Sequence, residues 1–431
     1  MFDTLVALTG ILCVGAMIHG YYKYRDPFHP LVLMLPMCAF VYAIMPFWLS
    51  RDGALFSYVS EAQCVWVQSV ILAGLISLIV GLHAGSLVKV RPLSPNRFAH
   101  ADVGRLNRGA FVTGALGVLA WLYTINNVGG VTEVFGRAKG MGWSEYGFIR
   151  DAAYLMIVAL LLLFSPQGLQ PKSLLWRLAV VVFSVPYLLQ GLLGAQRGPT
   201  FLIVTTIGMS HYLARNKRPS LPLVLAAGVS LGFLMLFLVT NRGSIYIGSE
   251  SELTADVSGV LEASEANEYI FGAGCMIAAD ETGKFFWGKR YLAQVFVRPI
   301  PRQIWPTKYE DFGVPELLQN AGVAGNSLLS VMGWQEIPGA AAAMIADLWV
   351  EASWLALPLL FIVGYCFASA WRKAIVRSGP YATQFMILVL LSVYFVSQSG
   401  EAVIYRLFIL SVPVWYVWRT ACPPPHNFFG H

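Results

Sequence analysis

Charge is what this chain has least of. Only 12% of its 431 residues are Asp, Glu, Lys or Arg, against 57% that are hydrophobic, whereas a soluble domain carries about a quarter charged residues. So much apolar surface, arranged in runs of about twenty residues, is solvated only by lipid. The scarcity excludes a soluble enzyme and a disordered chain, and the length of the runs excludes a transmembrane β-barrel, whose strands alternate in short segments. Cysteine is also sparse: six residues, Cys13, Cys38, Cys64, Cys275, Cys366 and Cys422, without a CxxC or paired spacing. Neither a disulfide scaffold nor a zinc site is suggested. The start, Met1-Phe2-Asp3, lacks a basic stretch and runs directly into an apolar segment, so no cleavable signal peptide is expected there.

What is present is a series of apolar segments. Windows of about nineteen residues place spans near residues 4–22, 31–50, 66–88, 109–126, 149–164, 174–193, 199–213 and 221–240. A polar, Gly- and Pro-rich stretch follows over 241–338, and then spans near 343–371, 381–396 and 402–418. The expected architecture is an all-α polytopic membrane protein of about eleven helices. Its parts are helices 1–8 in 1–240, a long external loop with short amphipathic helices in 241–338, three further helices in 339–419 and a tail at 420–431. Sixteen Lys and Arg residues fall in one set of alternate short loops and six in the other. The positive-inside rule therefore puts the first set in the cytoplasm, the N-terminus outside, the C-terminus inside and the long loop on the outer face.

Ionisable groups at span ends are the informative residues, because a charge in hydrocarbon is paired, snorkelling or functional. They gather on the outer side: Arg150 and Asp151, Arg197, Arg242, Asp347 with Glu351 four residues on along one helical face, and Glu401 with Arg406. The long loop adds Lys289, Arg290, Arg298, Arg302 and Lys308, together with twelve carboxylates. The deep midplane is nearly empty of charge, which speaks for a polar cleft opening outward and against an ion path. The competing reading for any one arginine is snorkelling to headgroups. Pro299, Pro301 and Pro306 forbid a continuous helix and favour a stiff extended stretch presenting Arg302 and Trp305; the alternative is a membrane-skimming loop with a Trp anchor. None of the seven histidines lies in 241–338, and no DxD, HExxH, P-loop or dinucleotide fingerprint occurs, so no metal and no cofactor is expected. An arginine-rich set with carboxylates suits chemistry whose leaving group is a lipid diphosphate.

The turn Gln196-Arg197-Gly198, the run Pro301-Arg302-Gln303-Ile304-Trp305-Pro306-Thr307-Lys308 and the Asp347-to-Gly364 segment after a long loop resemble the Wzy-type O-antigen and oligosaccharide repeat unit polymerases. The resemblance implies a fold like the C class of glycosyltransferases (GT-C-like) and inverting glycosyl transfer on the outer face of the bacterial inner membrane. There, undecaprenyl-diphosphate-linked oligosaccharides would be joined into O-antigen, capsule or exopolysaccharide. It implies diphosphate binding by Arg197, Arg242, Arg290, Arg298, Arg302 and Arg406. A base is sought among Glu401, Glu268, Asp280 and Asp347, with Glu401 first because it shares a span end with Arg406; an ion pair with a neighbouring arginine is the competing role. Trp305, Trp287 and Trp334 are candidates for sugar stacking, or members of an aromatic belt. Expected partners are the lipid-linked oligosaccharides and the bilayer, with a chain-length regulator protein left open and no nucleic acid. The alternatives are a transporter or flippase of lipid-linked oligosaccharide, and an O-antigen-type ligase; the absence of an external histidine weakens the ligase reading more than the polymerase reading.

Overall fold

The computed structural model describes residues 1–51, 53–92, 98, 101–137, 147–165, 173–194, 197–214, 217–250, 252–256, 262–314, 326–334 and 340–422. Gln196 and the tail from Pro423 lie outside them, as does the side chain of Arg197. Among the described residues the ordered structure is entirely helical: α1 (Phe2–Tyr24), α2 (Pro30–Ala39), α3 (Met45–Arg51), α4 (Glu61–Ser86), α5 (Val103–Val128), α6 (Val131–Phe135), α7 (Gly147–Ala152), α8 (Leu155–Leu163), α9 (Leu174–Leu192), α10 (Arg197–Ala214), α11 (Leu221–Thr240), α12 (Glu268–Thr282), α13 (Lys289–Leu292), α14 (Lys308–Asp311), α15 (Asn326–Met332), α16 (Ala343–Ala352), α17 (Ala356–Arg377), α18 (Pro380–Ser397) and α19 (Gly400–Ala421). Among the described residues, eight helical segments are long and apolar enough to cross a membrane: Phe2–Tyr24, Pro30–Arg51, Glu61–Ser86, Val103–Val128, Leu174–Leu192, Leu221–Thr240, Ala343–Arg377 and Pro380–Ser397. This is a polytopic membrane protein. The segment expected to span as one helix over 149–164 is instead interrupted at Ala153 and Tyr154, whose amides bond back to Arg150 and Asp151.

The chain forms two compact units. The first comprises Met1–Val88, Ser258–Ser369 and Leu391–Tyr405; the second comprises Lys89–Val257, Ala370–Leu390 and Arg406–His431. In the first unit α4 starts from a reciprocal cap between Ser60 and Gln63 and carries Gly81 and Gly85 on its face towards α17. A Cβ at either position would run into the backbone carbonyl of Phe361 or Tyr365. Two glycines four apart thus let two apolar helices meet backbone to backbone, the packing mode on which helices in lipid rely.

The same unit holds the least expected element. Helix α12 starts at Asn267, whose side chain accepts from the amides of Tyr269 and Ile270, and every residue from Tyr269 to Ala279 is buried. Gly272 abuts the Ala342 carbonyl and Gly274 lies under the Trp334 ring. The Tyr269 hydroxyl donates to Gln68 Oε1 at 3.0 Å, and Gln68 in turn donates to Thr9 Oγ1 and the Tyr42 carbonyl. This buried polar chain ties α12 to α1 and α4. Residues 40–44 form a π-helical turn between α2 and α3, which sets Tyr42 so that its hydroxyl accepts from the Ile345 amide at 3.1 Å, in the first turn of α16. Helix α16, which carries Asp347 and Glu351, is therefore fixed from two sides.

In the second unit the core is α5 against α8. Met156 to Leu163 are all buried, and Gly117 allows Met156 to approach α5 closely.

Candidate functional site: a buried arginine among three carboxylates

In the first unit three carboxylates gather around Arg290. Gly288, at φ 81°, opens the short helix α13, and a π-helical turn over Ala293–Val297 continues it, so that Arg290, Gln294 and Arg298 follow one another at intervals of four. Arg290 is 2% exposed. Its Nη2 lies 2.9 Å from Asp347 Oδ1 and 2.7 Å from Glu401 Oε2, and its Nη1 lies 3.3 Å from Glu351 Oε1. Burial alone would lower the pKa of this guanidinium, but Asp347, Glu401 and Glu351 together hold it well above its ordinary value. The arginine is permanently charged and multiply paired, the state in which a buried cation is tolerated.

Each carboxylate has further partners. Asp347, fully buried, accepts from the Tyr291 hydroxyl and, at 2.8 Å, from the Gly400 amide at the start of α19. Burial, then the adjacent Asp347, raise the Tyr291 phenol well above its usual pKa. Glu351 accepts from the Gly288 amide at 2.8 Å, while the amides of Phe286 and Trp287 bond to the carbonyls of Val350 and Glu351 at the end of α16. Glu401 is held by Arg290 and by the Gln294 amide. It differs in access: its side chain is 21% exposed, against 0% for Asp347 and 1% for Glu351. Next to it, Arg298 donates to Gln294 Oε1 at 2.9 Å and lies over the Tyr405 ring at 4.4 Å.

The Pro-rich run is not the extended stretch that its prolines favour. Pro299 to Thr307 turn repeatedly, with the amides of Ile304 and Trp305 bonding to the Pro301 carbonyl at 3.0 and 3.1 Å. The reason lies in Lys308 and Asp311. The Lys308 ammonium, buried, donates to the carbonyls of Val297, Arg298 and Ile300. Asp311 accepts from Trp305 Nε1 at 2.6 Å and Thr307 Oγ1 at 2.7 Å; these two bonds hold its carboxyl below the usual range. Trp305 and Phe312 then pack on a small core of Ala293, Val297, Tyr309 and Val314.

Of the residues singled out from sequence, Arg290, Asp347 and Glu401 come together in one cluster, with Arg298 adjoining it. Arg302 is exposed on the turn that follows. Glu268, half-buried, and Asp280, exposed, sit at opposite ends of α12. Trp334 is buried against Gly274 and meets Tyr58 edge-on at 6.2 Å; Trp287 is exposed. Arg197, Arg242 and Arg406 belong to the second unit. There Arg242 is exposed and Arg406 Nε donates to the Tyr154 hydroxyl at 2.6 Å. Tyr291 and Gln294 were not singled out from sequence, nor was Glu351 given a role; the spacing Arg290, Gln294, Arg298 was the available signal. Among the described residues no group of His, Cys, Asp and Glu is arranged to hold a metal ion. No protein family, curated protein or solved structure matches the chain.

Proposed function

We propose that the chain is a polysaccharide polymerase that joins undecaprenyl-diphosphate-linked oligosaccharide repeat units by inverting glycosyl transfer on the outer face of a bacterial inner membrane. In this reading about eleven segments cross the bilayer in a fold like the C class of glycosyltransferases, with the N-terminus outside and the C-terminus inside. The supporting observation is Glu401: within a cluster of three carboxylates around one arginine, it alone keeps substantial access to solvent, and Arg290 and Gln294 fix its orientation.

The chemistry follows from that arrangement. An acceptor hydroxyl gives its proton to a Glu401 carboxylate oxygen, and the oxygen attacks the donor anomeric carbon from the face opposite the diphosphate. The bond from that carbon to the phosphate oxygen breaks, its electron pair leaves with the lipid diphosphate, and Arg298 and Arg302 neutralise the departing charge. Asp347 and Arg290 hold the base; Tyr291 and the Gly400 amide hold Asp347. The test is reconstitution. The protein in liposomes, given a repeat unit on undecaprenyl diphosphate, yields a ladder of products and free lipid diphosphate, and Glu401→Gln, folded as judged by its unfolding temperature, yields neither. A ladder of ordinary intensity from Glu401→Gln removes the base assignment; no ladder from the parent protein removes the polymerase reading.

A further inference from the structure

The segment from Trp287 to Ile304 has two opposite faces. Inward lie Arg290, Ala293, Gln294 and Val297, all buried. Outward lie Trp287, Leu292, Phe296 and Ile304, at 60, 48, 65 and 76% exposure, with the exposed cations Lys289 and Arg302 among them. Four large apolar side chains turned away from the protein beside basic residues form the pattern of an interfacial amphipathic element, and in water they would make an unpaired apolar patch.

The depth of this face is set by what it is bonded to. The amides of Phe286, Trp287 and Gly288 all end on Val350 and Glu351, the last turn of α16. Helix α16 stops at Ser353, where φ is 51°, and α17 continues from Ala356 to Arg377 within one membrane-crossing segment. The 22 residues of α17 measure about 33 Å at 1.5 Å per residue, the thickness of a hydrocarbon core of about 30 Å. With the cations Arg372, Lys373 and Arg377 at one end of α17, the break at Ser353 falls at the opposite interface, where Trp354 and Leu355 are exposed in the manner of an aromatic belt.

We infer that residues 287–304 lie in the membrane interface, with Trp287, Leu292, Phe296 and Ile304 inserted among the lipids of the leaflet that the Ser353 break reaches. The partner of this surface is the bilayer itself, and Lys289 meets its phosphates. The segment is then no aqueous loop: Arg298 and Glu401 stand at headgroup depth, the level at which a lipid's phosphate lies. This holds whether or not the protein transfers a glycan, and its test does not read activity. In a Cys366→Ser background, which removes the exposed native thiol among the described cysteines, Phe296→Cys and Lys284→Cys are spin-labelled and reconstituted in liposomes of phosphatidylglycerol and phosphatidylethanolamine. Power saturation with oxygen and with a water-soluble nickel chelate should give Phe296→Cys a several-fold higher ratio of oxygen to nickel accessibility than Lys284→Cys. On the unaltered protein, a membrane-restricted carbene reagent should label the peptide 285–304. Equal accessibility ratios at the two positions, or a peptide that takes up no carbene, overturns the inference.

Discussion

An arginine at 2% exposure with three carboxylates around it is stable only as a set. Arg290→Ala strands the carboxylates in a buried site and should lower stability by about 3–5 kcal/mol, read as a fall in the unfolding temperature in detergent. Lys308 makes the same point with carbonyls as partners: Lys308→Met leaves three of them without their donor and should lower stability by about 1–3 kcal/mol. Asp311 adds a pH dependence. Its folded pKa lies below the ordinary 3.8, so its stabilisation is complete above that value and is lost as pH falls through the folded pKa; Asp311→Asn should flatten that part of the acid unfolding curve. For the proposed activity, Arg197→Ala and Arg302→Ala should stop chain growth while protein abundance is unchanged, and normal polymer from both would remove their assignment. At this scale the sequence was partly legible. Asp347 and Glu351, four apart, and Glu401 at a span end stand out as charges in apolar surroundings. Their common partner could not be read, because Arg290 is separated by 57 and 111 residues from Asp347 and Glu401 and no local pattern encodes such a pairing. The Lys308 and Asp311 knots were equally hidden: prolines report which backbone angles are forbidden, and the turn that results depends on side chains further along.

Elements show what periodicity conveys and what it does not. The apolar runs became helices nearly where expected, because twenty apolar residues in lipid must satisfy their own backbone hydrogen bonds. The buried stretch of α12, Tyr269–Ala279, is too short to span, so its eleven buried residues read as part of a polar loop. Its cap at Asn267 and its small residues Gly272, Ala273 and Gly274 were the available signs of a helix packed on all sides. The glycines of α4 make a testable case. Gly81→Val should separate α4 from α17 and lower the unfolding temperature markedly, whereas Gly15→Ala in α1, where an added Cβ meets nothing within 4 Å, should leave it unchanged. Equal effects from the two would mean that the close approach is not what holds these helices.

At the scale of the whole molecule, composition points to membrane insertion, and eight helical segments among the described residues are long and apolar enough for it. The proposed orientation rests on the asymmetry of sixteen cations to six, and it predicts that a reporter fused after Ala421 is active only in the cytoplasm. The proposed function rests on the carboxylate cluster around Arg290 together with the sequence resemblance, and its most direct measurement is made in cells. The chain is deleted from its host and supplied again as the parent or as Glu401→Gln, and the lipid-linked and surface glycans are separated on a gel. Polymerisation predicts that the deletion and Glu401→Gln both leave single repeat units on their carrier or at the cell surface while long chains vanish, and that the parent restores the ladder. Repeat units accumulating only on the cytoplasmic side would contradict it, and would make the protein a carrier of the lipid-linked glycan.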